Sequence, residues 1–375
     1  MDEIFYDTVD LLKRLIATPR VSRDESAAAD IISQFLTDHG LKPARVNNNV
    51  WAVAGTFDPT RKTLLLNSHL DTVKAVEGWT RDPLSPDEDD DKLYGLGSND
   101  AGASLVTLAA TAVALKDTDL GYNLIFAASA EEEVSGANGM SLLITKLPKI
   151  DMAIVGEPTG MNPAIAEKGL MVIDAAVHGV SGHAARGEGI NAIDRAVRVI
   201  ETLRNMTFPA ESPTLGPVKI TVTGINAGTQ HNVVPDLCTM MIDVRTTDAF
   251  SNAVTLALMR DAVNAVFDHV RDGITSYSTD DVENARPICE LTPRSLRLNP
   301  SSFPADHPIV QRLEMMGFKP YGSPTLSDQA LMPWPSLKVG PGDSARSHTA
   351  NEYIRLSELR QALSIYPRLL TALPL

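Results

Sequence analysis

Apolar positions near the N-terminus recur at the spacing of a helix face. Ile4, Val9, Leu12, Leu15 and Ile16 form one stripe over residues 4–17, and Ala28, Ile31, Ile32, Phe35 and Leu36 form a second over 24–39. Stripes of this period predict two amphipathic helices, the second closed by Gly40 as a C-terminal cap. The pattern then changes to short continuous apolar runs at 51–55, 63–68, 123–129 and 152–155, each bounded by polar residues. Such runs read as strands buried on both faces, and an apolar helix over 103–116 is long enough for a parallel crossover. Three of these strands end in chemistry-bearing residues: His69 and Asp71, then Glu131–Glu133, then Glu157. The expectation is an α/β fold with a mostly parallel sheet, helices on both faces, and a site at the carboxyl ends of the strands.

From residue 167 the period changes again. Strands at 170–177, 218–224 and 237–245 and helices at 191–205 and 251–271 predict a small sheet with its helices on one face. Residues 167–284 therefore read as an inserted α+β domain. Residues 1–166 and 285–375 make the first domain, which closes with a strand at 336–339 and a helix at 356–370. The connection 83–92 is polar and acidic. Its run Asp87–Asp91 lacks the glycine and spacing of a calcium loop and reads as a solvated surface loop.

Composition sharpens this picture. The 375 residues suit two domains. A formal charge of −14, with no basic cluster, disfavours nucleic acid and anionic membranes as partners. Cys238 and Cys289, the two cysteines, provide neither a disulfide framework nor a thiolate metal site, so a reducing cytoplasm is the expected compartment. The acidic N-terminus, interrupted by Lys13 and Arg14, does not resemble a signal peptide, and no apolar run has the length of a membrane span.

The chemistry centres on residues 63–73, where an apolar run gives way to His69 and Asp71, which share one side of an extended chain. A carboxylate beside an imidazole fixes its ring for metal ligation. Gly95, Gly97 and Gly102 surround Asp100 but lack the dinucleotide-binding spacing; they let the backbone present Asp100 closely to another group. A helix N-terminus accounts for one or two acids in Glu131–Glu133, but not for acids at successive strand ends. Among eight histidines, His39, His178, His269 and His307 read as structural or solvated. His69 and His348 read as candidate ligands, with His183 and His231 as weaker functional candidates. His69, Asp100, one or two of Glu131–Glu133, Glu157 and His348 form a set of hard ligands suited to zinc, cobalt or manganese. Five ligands exceed the needs of one catalytic ion, whereas two ions about 3.5–4 Å apart with a bridging carboxylate would use them all.

These segments, with their order and spacing, resemble the cocatalytic-zinc amidohydrolases and peptidases, a family that includes acetylornithine deacetylase, succinyl-diaminopimelate desuccinylase and glutamate carboxypeptidase. The resemblance is carried by SHLDTV (68–73), GLGSNDAG (95–102), EEEVSG (131–136), GEPT (156–159), SGH (181–183), NVVP (232–235), DVR (243–245) and SHTANE (347–352). It implies two Zn2+ ions, with Co2+ or Mn2+ as substitutes. Asp100 would bridge them, His69 and Glu157 would complete one site, and Glu133 and His348 the other. It further implies Asp71 as the residue orienting His69 and Glu132 as general base. His183 would be an oxyanion-stabilising group reaching the partner's site in a homodimer, and Arg245, assisted by Asn232, would be the partner of a substrate carboxylate. For Arg245 a salt bridge to Asp243 or Asp248 is the alternative.

Ala101-Gly102-Ala103 replaces the Met-Lys-Gly frequent in relatives, and Ala184-Ala185-Arg186 replaces a Ser-rich stretch. The GSNDAGAS form is most similar to arginine-pathway deacylases acting on N-acetyl or N-succinyl ornithine or citrulline. A succinyl tail would need a cation, and Lys168, Arg186 and Arg346 are candidates. The expected activity is deacylation of an N-acyl-L-amino acid in arginine biosynthesis. The alternatives are a dipeptidase or carboxypeptidase of the same family, or a zinc-dependent binding protein, which would not need Glu132.

Overall fold

The computed structural model describes residues 2–268 and 287–375. His269 and the end of the helix expected over 251–271 lie outside the described residues. The chain divides into two compact units, one made of the residues up to Ala166 and from Ser302 to Leu375, the other of Glu167–Ser301.

In the first unit, Thr63–His69 runs parallel to Asn123–Ser129 on one side and Met152–Val155 on the other, and Ser336–Lys338 continues the parallel set. Antiparallel strands flank them, Asn49–Ala54 beyond Asn123–Ser129 and Ala164–Glu167 beyond Ser336–Lys338. All seven residues of both Thr63–His69 and Asn123–Ser129 are buried, as expected for strands covered on both faces.

The two faces are covered differently. Leu64, Leu66, Leu124, Phe126 and Ile154 join the core under the helices Asp2–Ile16, Ser26–Asp38, Ala103–Leu115 and Leu356–Leu370. Ala103–Leu115 is buried almost all round, which accounts for its lack of a polar stripe. Leu65, Ile125 and Ala153 face a smaller cluster built on the one-turn helix Met140–Leu143, with Leu331 and Trp334 packed against it. Gly40 ends the second helix as expected: at φ +81 its N–H reaches Thr37 O and the Leu41 N–H reaches Leu36 O, the paired closure of a Schellman motif.

The acidic connection departs from expectation. Asp87–Asp89 pairs with Lys92–Tyr94 as a hairpin, and Arg81 binds both Asp87 and Asp89. Asp91 holds the start of the last helix through the N–H and hydroxyl of Ser357. The run is therefore an ordered hairpin in which Arg81 and Ser357 engage Asp87, Asp89 and Asp91, while Glu88, Asp89 and Asp90 stay exposed at the surface as expected.

The second unit is an antiparallel sheet in the order Lys219–Ala227, Leu237–Thr246, Gly169–His178, Cys289–Pro293. Burial alternates along Gly169–His178 and Leu237–Thr246, which leaves one face free of the core. The buried face, including Met171, Ile173, Ile242 and Val244, packs on Val199 and Leu203 of Ala192–Asn205 and on Met259 and Val263 of Asn252–Asp268. Because Cys289–Pro293 pairs with Gly169–His178, residues 287–301 belong to this unit, and the chain returns to the first unit later than 285.

Candidate active site

His69 closes the central strand, and its ring is almost wholly buried. Its Nδ1 bonds the backbone O of Asp71 at 3.0 Å, which turns Nε2 toward Asp100 Oδ1 at 3.3 Å and Glu157 Oε1 at 3.8 Å. Asp100 follows a turn that starts at Gly97, where φ is +71. A Cβ at Gly97 would lie 2.4 Å from Arg20 Nη2, so the left-handed backbone and the close approach both require glycine. The second oxygen of Asp100 faces His348 Nε2 at 3.6 Å, and His348 Nε2 also lies 3.0 Å from Glu133 Oε2. Two sets of ligand atoms result, His69/Asp100/Glu157 and Asp100/Glu133/His348, which share Asp100.

These spacings fit metal ligation. Two N or O donors about 2.0–2.2 Å from one tetrahedral ion lie about 3.3–3.6 Å apart, close to the separations seen. The electrostatics point the same way. Burial and the charges of Asp100 and Glu133 push the Glu157 carboxyl up to about 8, with His69 and Lys338 opposing. Burial, aided by Glu157, Asp328 and Glu133, holds Glu132 well above the usual carboxyl range. Burial would lower His69, but its bonds to Asp100 and Asp71 and the charge of Glu157 raise it well above its ordinary value. The bond to Glu133 lifts His348 to about 9. This is an excess of negative charge in a sheltered space, with imidazoles as the intervening donors, and a pair of divalent cations would answer it.

Asp71 does more than face His69. Its Oδ1 accepts the Glu132 N–H at 3.0 Å, and its Oδ2 accepts the Glu133 N–H at 3.1 Å and the Ser22 hydroxyl at 2.6 Å. Burial pushes this carboxyl up, yet the bonds from His69, Ser22 and Glu132 outweigh it and hold Asp71 below its ordinary value. Glu132 belongs to neither ligand set. Glu131 turns away: at φ +55 its side chain accepts the N–H and side-chain amide of Asn138.

The structure thus brings His69, Asp71, Asp100, Glu132, Glu133, Glu157 and His348 together in the first unit. His183, Asn232 and Arg245 lie in the second. His183 is exposed on the two-residue strand Gly182–His183, which pairs with Val233–Val234, and the Ala184 N–H reaches Asn232 O at 3.1 Å. His183 and Asn232 are therefore neighbours across one antiparallel strand pair. Arg245 forks onto Asp243 through Nε and Nη2 at 2.9 and 3.2 Å, the intrastrand salt bridge weighed above. Of the cations considered for a succinyl tail, Arg346 is held by Glu358 at 2.7 and 2.9 Å and Lys168 donates to Pro217 O at 3.1 Å. Arg186 is exposed, with Glu188 at 3.9 Å.

Four further residues shape this site. Asp328 is buried and accepts the Ser129 hydroxyl, while Lys338, also buried, donates to Thr325 O at 2.9 Å. Arg20 is buried behind the Asp100 turn, and the Glu352 carboxylate caps that turn. Only Glu352 left a trace in the sequence, as the last residue of SHTANE.

A model of the peptidase family M20/M25/M40 matches residues 65–372. The chain belongs to this family. As an M20 protein it is a metallohydrolase acting on amides. It is 28% identical over 370 residues to an acetylornithine deacetylase of Shigella sonnei, covering 92% of each chain. It is 27% identical to an acetylornithine deacetylase of Salmonella arizonae, covering 94% of each. Among solved structures, aminopeptidase PepT from Bacillus cereus superposes with a TM-score of 0.75 at 16% identity over 98% of both chains. The YXEP protein of Bacillus subtilis, described as a dinuclear metal-binding M20 peptidase, gives 0.71 at 16% identity over 99% of this chain and 98% of its own. The M20 fold thus accounts for the mostly parallel sheet with an inserted second unit. No helix among the described residues is long and apolar enough to cross a membrane.

Proposed function

We propose that this M20 protein removes the acyl group from an N-acyl-L-amino acid, N-acetyl-ornithine or an N-acyl-citrulline, in arginine biosynthesis in the cytoplasm. The observation that carries the reading is the pair of ligand sets sharing Asp100, with Glu132 beside them and in neither. Near-complete coverage by two relatives named acetylornithine deacetylase supports the substrate class. Arg346 and Lys168 are engaged within the chain, which leaves Arg186 as the candidate partner of a succinyl tail.

His69, Asp100 and Glu157 would hold one divalent ion and Asp100, Glu133 and His348 the second; zinc fits the donors best, and cobalt or manganese would serve. Such a pair, when bound, polarises an amide carbonyl and lowers the pKa of water. Glu132 is the general base in this reading. A carboxylate beside both ligand sets and in neither suits a group that accepts a proton from the attacking water and returns it to the leaving nitrogen. Asp71 aims that carboxyl by binding the N–H groups of Glu132 and Glu133. His183 donates to the developing oxyanion. Arg245, assisted by Asn232, meets the substrate carboxylate through the guanidinium edge not occupied by Asp243.

The reading includes a homodimer in which His183 serves the partner's site. Its support is the edge strand Lys219–Ala227 with exposed Ile225, and exposed Val197 and Ile193 on Ala192–Asn205. An edge strand unpaired among the described residues and lying beside apolar surface is a surface that proteins usually cover.

The test is amine release by zinc-loaded protein from N-acetyl- and N-succinyl-ornithine, the two citrulline counterparts, succinyl-diaminopimelate and a panel of dipeptides. Preference for one acyl-ornithine or acyl-citrulline is the expected result. Cleavage of dipeptides alone would move the protein to the peptidase branch, and no turnover would leave a metal-dependent binding role.

A further inference from the structure

Two buried charged residues that ligate nothing converge on the turn carrying Asp100. Glu352 is 2% exposed, and its carboxylate accepts three backbone N–H groups of this one turn: Gly97 on Oε2 at 2.9 Å, and Asn99 and Asp100 on Oε1 at 2.9 and 2.8 Å. Its own backbone O accepts the Gly95 N–H at 3.0 Å. Arg20, also 2% exposed, grips the other side. Its Nη2 donates to Gly97 O at 2.8 Å, and its Nη1 donates to Leu70 O, the carbonyl between His69 and Asp71. The N–H of Gly97 is thus held by an anion and its carbonyl by a cation.

This connectivity joins the three segments that supply the shared ligand and both imidazoles. Arg20 ties the His69 segment to the Asp100 turn. Glu352 ties the same turn to the segment of His348, four residues before it in the chain. Asn99 adds a third tie, exchanging bonds of 3.0 Å with the backbone O and N–H of Asp343 in the loop leading to His348. Asp100 must place one oxygen toward each imidazole, so a small shift of its turn changes both ligand sets together. Burying a carboxylate and a guanidinium is costly, and such groups are weak devices for stability alone. Charge-assisted bonds to four backbone groups of one turn and a fifth in the neighbouring segment are well suited to fixing geometry.

We propose that Glu352 and Arg20 are positioning residues that set the separation of the two halves of the metal centre, so that binding of the second divalent ion depends on residues outside both ligand sets. This rests on the reading that the cluster holds two ions.

The experiment uses chelator-stripped full-length protein titrated with Co2+, read by calorimetry and by the visible ligand-field absorption, with circular dichroism and melting temperature recorded on the same samples. Wild type should take two equivalents. Glu352→Gln keeps size and one acceptor but turns an N–H toward either Gly97 or the Asn99/Asp100 pair. It should weaken one equivalent by about 10–100-fold and alter the absorption envelope while the fold persists. Arg20→Lys, which keeps the charge but spans one carbonyl instead of two, should act in the same direction. Glu352→Asp, too short to reach both sides, should fail to restore wild-type binding.

Folded Glu352→Gln that takes both equivalents with wild-type affinity and spectrum would overturn the proposal, even if it melts lower, because that is a merely structural role. If Glu352→Gln does not fold, wild-type binding by both Arg20→Lys and Glu352→Asp would overturn it equally. Failure of wild type to take two equivalents would overturn the dinuclear reading itself and this inference with it.

Discussion

Replacing Asp71 by asparagine keeps its shape and removes one acceptor, which isolates the job of its carboxylate. Asp71 accepts hydrogen bonds from Ser22 Oγ, Glu132 N and Glu133 N, beside a longer contact of its Oδ1 with His69 Nδ1 at 3.5 Å. Asparagine offers one carbonyl oxygen and one NH2. With the NH2 at the Oδ1 position, the Glu132 N–H loses its acceptor. With it at Oδ2, the Ser22 hydroxyl can rotate to accept, and the Glu133 N–H is orphaned instead. Either way one sheltered N–H is unpaired, at about 1–3 kcal/mol, and the remaining bonds drop from charge-assisted to neutral strength, at roughly 0.5–1 kcal/mol each. The expected cost is about 2–5 kcal/mol, concentrated on the turn that aims Glu132 and Glu133. If about 2 kcal/mol of it appears in the transition state, kcat/KM falls by roughly 30-fold. The assay is kcat and KM on the preferred acyl substrate, with zinc content by elemental analysis, and Ser22→Ala as a control that removes only the hydroxyl donor. Ser22→Ala should stay within about threefold of wild type. Wild-type kcat and zinc content in Asp71→Asn would refute the reasoning, since the two N–H groups would then not need the carboxylate.

Three other outcomes are expected. Glu132→Gln should lose about 10²–10⁴-fold in turnover and keep its full metal content by elemental analysis; joint loss of metal and turnover would place Glu132 among the ligands. His183→Ala should lower kcat by about 10²-fold or more without changing metal content, and mixed oligomers of His183→Ala and Glu132→Gln chains should regain part of the activity. No recovery in such mixtures would count against a site shared across a dimer. Gly136→Ala would place a Cβ 1.8 Å from Glu131 Oε2, and forcing that carboxylate off Asn138 should cost about 1–3 kcal/mol, read as a lower midpoint of chemical denaturation.

Which parts of this molecule the sequence reveals follows from where the determining interactions lie. Continuous apolar strands such as 123–129 and 152–155 are legible because burial on both faces is written into the residues themselves, and the structure places them at the expected positions. The candidate ligands are legible because acids and imidazoles at successive strand ends have no ordinary reason to recur. The hairpin at 87–94 was not, since its acids are satisfied by Arg81 and Ser357, partners that no local pattern announces. The return to the first unit was misplaced because residues 289–293 owe their allegiance to a strand more than a hundred positions earlier. Arg20, Asp328 and Lys338 were invisible for the same reason. A charged residue in an unremarkable stretch reads as surface until the fold shows what surrounds it.

The run Glu131–Glu133 shows how far residue chemistry goes before geometry must decide. Three identical carboxylates in succession are interchangeable to any reading of composition or spacing, yet each has a different environment. The backbone enters a left-handed conformation at Glu131, which directs its carboxylate into the protein toward Asn138 and lets Gly136 pack against it. Asp71 then takes the next two N–H groups on its two oxygens, a bite that holds both peptide units while their side chains diverge. Glu133 reaches His348, and Glu132 remains outside both ligand sets. A ligand must be ionised when it binds, whereas a proton carrier must be able to hold a proton. In the proposed reading a single carboxylate, Asp71, thus organises a metal ligand and a proton acceptor on adjacent residues, and the division of labour among three glutamates is a property of one turn and of no residue in it.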